Sequence, residues 1–204
     1  MPDETPLRAD AQRNRQRLLA AAEEVFVERG AEASMEDVAK RAGVGIGTLY
    51  RRFPTRESLL AAAYSARFLS LAAASRARSS TMDPLAALRA YLHDLVVQST
   101  VYRGLAASLG QMLQSGTPGC EATSKEGRRL LRSAQKSGAV RRDVTFNDLV
   151  VVAMATSLAT EQADAPKSRI PHLIGLFLDG VRSYSGQTGD VDTPAARRAG
   201  ALDP

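Results

Sequence analysis

Residues 34–54 read SMEDVAKRAGVGIGTLYRRFP, and this stretch decides what architecture to expect. Ser34 is followed three residues later by Asp37. Its hydroxyl can therefore cap the Asp37 amide and open a helix, a capping-box pattern with aspartate in place of glutamate. Met35, Val38, Ala39 and Ala42 recur at helical spacing and give that helix a short apolar face. Gly43 ends it after about two turns, because glycine takes the left-handed conformation at little cost. A second helix is expected almost at once, from Val44 or Gly45 to Phe53, and Pro54 closes it. Two short helices across a tight turn, with a third packed across them, are the parts of a helix-turn-helix. The DNA major groove, about 12 Å wide, admits one α-helix. The second helix of the pair enters it while the first crosses the backbone. Gly45 and Gly47 keep the start of that helix small, so its backbone can come close to DNA. Thr48, Tyr50, Arg51 and Arg52 place hydroxyl and cationic groups outward, with Val44, Leu49 and Phe53 packing inward.

The flanking sequence supports this reading. A first helix is expected over residues 10–29, with Leu18, Ala22, Val25 and Phe26 on one face and Gly30 at its end. Residues 1–9 read as a disordered arm. Thr55 caps a fourth helix over residues 56–75, which has no internal Gly or Pro and is expected to be one stiff rod. Charge is sorted along the segment. Glu23, Glu24, Glu28, Glu32, Glu36 and Asp37 come first. Residues 38–56 then hold no acid but carry Lys40, Arg41, Arg51, Arg52 and Arg56. Such a run alone reads as a solvated face; with the turn and the short helices it reads as a DNA-facing surface. The run Gly43–Gly47 also looks like a nucleotide-binding loop, but that loop follows a β-strand, and residues 35–42 read as helix.

The stretch from Ala42 through Phe53 to Glu57 closely resembles the signature of the tetracycline-repressor (TetR) family. Residues 17–22, continuing through Phe26 to Gly30, resemble that family's first helix. The resemblance covers about residues 13–65, and the stretch 139–144 with the apolar helix after it resembles many C-terminal domains of the family. It implies an all-α protein: an N-terminal three-helix helix-turn-helix DNA-binding domain, then a C-terminal helical bundle for ligand binding and dimerisation. The matched positions imply roles for single residues. Thr48 and Tyr50 resemble phosphate-holding residues, Gly45, Ile46 and Arg51 stand where bases are faced, and Ser34, which opens the motif, is expected among the DNA-binding residues with them. Ile46 either touches a thymine methyl or shields the turn. Arg52 stands where the family often has histidine. Arg56 replaces a lysine near the start of helix four and is expected to supply its charge to DNA. A small-molecule ligand, a homodimer and a palindromic operator in double-stranded DNA are the implied partners, and repression released by the ligand is the implied activity.

The rest of the chain reads as helices punctuated by Asp83–Pro84, the Gly116–Gly119 loop, Gly138 and Pro166. The expected division is an arm at 1–9, a DNA-binding domain at 10–55, a ligand and dimer domain at 56–185 and a disordered tail at 186–204. Leu149 and Val152 belong to a helix that is apolar nearly all round. Ile170, Leu173, Ile174, Phe177, Leu178 and Val181 form an apolar stripe on the last helix. These two helices either pair with their symmetry mates or fill the protomer core. Tyr91, Tyr102, Met112 and Met154 are candidate pocket walls, although such side chains are more often plain core. His93 and His172 lack metal spacing, and no catalytic cluster, metal site or cofactor loop is expected. With one cysteine, Cys120, no internal disulfide forms, which fits a reducing cytoplasm. Beside its Gly-Pro-Gly loop that thiol is either inert or a redox sensor. No apolar run reaches the roughly 18 residues of a membrane helix, and residues 1–10 lack a signal-peptide core.

Overall fold

The computed structural model describes residues 4–30, 33–100, 105–162 and 168–183. Among these, ten α-helices and no strand are found. They are α1 (Glu4–Arg29), α2 (Met35–Ala42), α3 (Ile46–Arg52), α4 (Arg56–Ala63), α5 (Ser65–Ser79), α6 (Pro84–Thr100), α7 (Leu105–Leu113), α8 (Pro118–Lys136), α9 (Phe146–Gln162) and α10 (Arg169–Gly180). The fold is all-α. No single helix among the described residues is long and apolar enough to cross a membrane.

Helices α1 to α4 pack on one another through Leu18, Ala22, Val25, Phe26, Val38, Leu49, Phe53 and Leu59, all buried. Helix α1 starts at Glu4, six residues before the expected Asp10, so residues 4–9 are helical and not an arm. Pro6 does not prevent this, because amides of a first helical turn have no partner inside the helix anyway. The expected tail at 186–204 lies outside the described residues.

The expected rod over residues 56–75 is broken. Tyr64 leaves helical geometry at φ −91°, ψ 2°, and α4 and α5 meet at a bend of 52°. A distant part of the sequence meets the chain at this bend. The start of α8 sits on the bend: the Gly119 N–H donates to Ser65 Oγ (3.0 Å) and Thr117 Oγ1 donates to the Ala61 carbonyl (3.5 Å). A Cβ on Gly119 would collide with the Ser65 carbonyl, so this contact of backbone on backbone requires glycine. From there α8 runs along α5, with Thr123 Oγ1 donating to the Phe68 carbonyl (2.9 Å). Helices α6, α9 and α10 complete the second layer, and α7 joins it to α4.

Candidate nucleic-acid interface

The turn is set by local chemistry. Ser34 Oγ accepts the Asp37 N–H (3.1 Å) while the Asp37 carboxylate accepts the Ser34 N–H (3.2 Å), a complete capping box. Those bonds hold the Asp37 carboxyl below the ordinary aspartate range, with the Ser34 hydroxyl the largest cause. At the other end Gly43 is left-handed, φ +67°. The Val44 N–H reaches the Ala39 carbonyl (3.0 Å) and the Gly43 N–H the Lys40 carbonyl (3.3 Å), the pair of bonds of a Schellman stop. Gly45 then caps α3 with its carbonyl only.

Helix α3 buries Leu49, and Phe53 behind it is also buried. Ile46 and Tyr50 are 38% and 43% exposed, large apolar groups held in water. Gly47, Arg51 and Arg52 are exposed too, and Thr48 is half-buried. Arg51 Nη2 donates to Thr48 Oγ1 (3.1 Å), which steadies the guanidinium along the helix. A Cβ added at Gly45 or Gly47 would meet nothing within 4 Å. Neither glycine is needed by packing within the described protein. Gly47 even costs its helix about 1 kcal/mol relative to alanine.

The cations around the motif divide into two groups. Arg41 is held by Glu28 (2.6 Å) and Glu24 (3.1 Å), and Arg29 by Asp37 (2.7 Å). Lys40 and Arg52 are exposed without a protein ion pair among the described residues. Arg56 corrects the expectation for helix four. Its guanidinium turns inward, donating to the carbonyls of Gly30 (3.0 Å) and Ala33 (3.3 Å) and lying 5.1 Å over the Phe26 ring. It joins the Ala33 N–H (3.3 Å) on the Gly30 carbonyl and also reaches the Ala33 carbonyl, so it ties α4 to the segment that follows α1 and is no free phosphate contact. Ser34 likewise spends its hydroxyl on the cap.

In the second layer the expected interface residues separate. Leu149, Ile170, Ile174, Leu178 and Val181 are buried in the protomer's own core; they cannot face a partner, and the core alternative holds for them. Val152, Leu173 and Phe177 are half-buried. The large apolar side chains most exposed on these helices are Val151 (52% exposed) and Leu176 (58%). Of the expected pocket walls, Tyr91 and Met112 are wholly enclosed, and the Tyr91 hydroxyl is bound to the Thr123 carbonyl (3.0 Å). Burial raises its pKa and keeps it neutral. Met154 is half-buried beside Gly110. Gly110 lines a cleft of about 260 Å³ with Leu113, Ser124, Arg128, Phe146 and Val150. Tyr102 lies outside the described residues. Cys120 is buried, and burial pushes its thiol up, away from the reactive thiolate. No group of His, Cys, Asp and Glu among the described residues could hold a metal ion.

The model for bacterial regulatory proteins of the tetR family matches residues 18–63, and that for the SbtR-like transcriptional regulator C-terminal domain matches residues 83–183. A TetR transcriptional regulator of Streptomyces coelicolor is 32% identical over 84% of this chain and 99% of its own, with a TM-score of 0.52. The chain belongs to the TetR family of transcriptional regulators. An HTH-type transcriptional regulator of Staphylococcus aureus is 46% identical over 54 residues, which are 26% of this chain and 29% of that protein. The matched part thus spans under a third of the curated relatives' length. RolR, solved in complex with resorcinol, shares the fold at a TM-score of 0.59 and 23% identity, over 85% of this chain and 90% of its own. In this TetR-family protein the inward turn of Arg56 and the seat of Gly119 on Ser65 escaped the sequence. No local pattern marks a contact between residues 26 or 54 positions apart.

Proposed function

We propose that this TetR-family regulator is a cytoplasmic homodimeric repressor. It reads a palindromic operator with α3 and releases it when a small molecule binds the helical domain. The observation that carries DNA reading is the open space at Gly45 and Gly47 beside exposed Ile46, Tyr50 and Arg51. Nothing among the described residues uses that space, which leaves room for a duplex to press on the helix. In this reading Tyr50 and Thr48 hold phosphates, and Arg51, aligned by Thr48, meets a base edge, guanine being the match for its fork. Lys40 and Arg52 add charge to the backbone. Val151 and Leu176 form the centre of the subunit contact, with Val152, Leu173 and Phe177 around them. Two-fold symmetry then presents two α3 helices to half-sites about 34–36 Å apart. RolR with its resorcinol supports a ligand of small-molecule size, and the cleft beside Gly110 and Met154 supports its entry between α7, α8 and α9.

Selection of bound sequences from a random duplex pool tests the reading. A palindrome is expected, with binding that weakens steeply as salt rises. Equal retention of every duplex would defeat it. Gly47→Ala sharpens the test: the helix gains about 0.5–1 kcal/mol, so the melting temperature holds or rises, while operator affinity drops about tenfold or more, a cost of at least about 1.4 kcal/mol. Unchanged affinity in a gel shift would remove the close approach at that position.

A further inference from the structure

We propose that the cleft between α5, α6 and α10 binds a compact amphipathic carboxylate, at a place apart from both the DNA-reading helix and the α7–α8–α9 cleft. The cleft encloses about 400 Å³, within the range of roughly 300–1,000 Å³ usual for small-molecule sites. Its floor is apolar: Met82, Ala86, Ala90, Pro171 and Ile174. Ala86 and Ala90 lie one turn apart on α6, and their small side chains leave a trough along the helix.

The rim carries the guanidinium groups of Arg78 and Arg89 and the His93 ring against the single acid Asp94. Arg78 is matched by Asp94 at 2.6 Å, and His93 Nδ1 lies 3.4 Å from the same carboxylate. Arg89 differs. Its acid partner, Asp179, stands 3.9 Å away, and both side chains are well exposed, so that pair holds it only weakly. Its position is nevertheless built in. Arg89 reaches across α10 over Gly175, where an added Cβ would stand 3.1 Å from its Nη1 and meet no other group within 4 Å. Glycine inside a helix costs about 1 kcal/mol relative to alanine, and here it leaves open the space next to the guanidinium. A planar guanidinium at the lip of an apolar trough matches a carboxylate bidentately while the hydrocarbon lies below. A cation is disfavoured by the same rim.

Octanoate is the probe, titrated by calorimetry into the full chain, with octylammonium and octanol as controls. Saturable octanoate binding is expected, tighter than that of either control by about tenfold or more, the size of a charge-assisted pair. Arg89→Gln is expected to weaken octanoate by about tenfold. Ala90→Leu fills the trough and is expected to abolish binding. Arg89 and Ala90 are both only half-buried, and circular dichroism checks that each variant folds. Failure of octanoate to saturate the wild-type protein overturns the site. Saturable binding unmoved by both substitutions overturns its location. Octanol bound as tightly as octanoate overturns the carboxylate.

Discussion

Arg56 shows how one side chain changes the account of a motif. Its position suggests a cation offered to DNA, yet two carbonyls and the Phe26 ring hold it inside. Replacing it by alanine removes two charge-assisted bonds and a cation–π contact. The expected loss is roughly 2 kcal/mol of stability, read as a lower urea midpoint at unchanged slope. A residue serving DNA alone would leave the midpoint where it is. Asp37 supplies a pH test. Its carboxyl is held below the ordinary aspartate value by the Ser34 hydroxyl first, then by the Ser34 amide and Arg29. A depressed folded value means the stabilisation is fully present above the ordinary range, about 3.9. It is lost as pH falls through the lower folded value. Asp37→Asn should therefore be less stable than the native protein at neutral pH. The gap between their urea midpoints should close as the pH drops below about 4; a constant gap would mean the cap does not depend on charge. The capping box was legible in the sequence because both partners lie within four residues. The inward Arg56 was not, because its acceptors lie 23 and 26 residues away.

At the scale of elements, α2 and α3 were readable from their ends. Ser34, Gly43 and Pro54 act on neighbours only, and the structure starts and stops these helices within a residue or two of the expected points. The break between α4 and α5 was hidden for the opposite reason. Residues 56–75 contain no helix breaker, and the bend at Tyr64 accompanies a contact made by α8, more than 50 residues on. Gly119→Ala tests that contact. A methyl group driven into the Ser65 backbone forces α8 away from the bend and should cost about 1–3 kcal/mol or more, as overpacking does. Thermal unfolding measures it. A neutral result would mean that the seat of α8 gives way freely. The same break revises the expectation of one stiff rod: α4 and α5 meet at a corner, and the start of α8 is seated on it.

For the whole molecule, apolar periodicity located the right helices but not their neighbours. The stripe on α10 was visible; that Ile170, Ile174 and Leu178 face inward while Leu176 faces water follows from which side α6 and α9 occupy. Periodicity reports that a face is covered and is silent on what covers it. If Val151 and Leu176 centre the subunit contact, Leu176→Glu should shift the protein from dimer to monomer in light scattering. Operator affinity should fall with it, since one head then binds without the other. A dimer that survives both Leu176→Glu and Val151→Glu places the contact on another surface. The burial of Cys120 has a practical consequence for such work. The chain's one native thiol is shielded and poorly ionised, so the wild-type sequence already serves as a silent background for site-directed labelling. A cysteine installed at exposed Gln16 on α1 would take up a nitroxide or fluorophore far faster than Cys120, one tag per subunit. The spacing between two tags in an assembled pair would then gauge head separation directly, with and without effector.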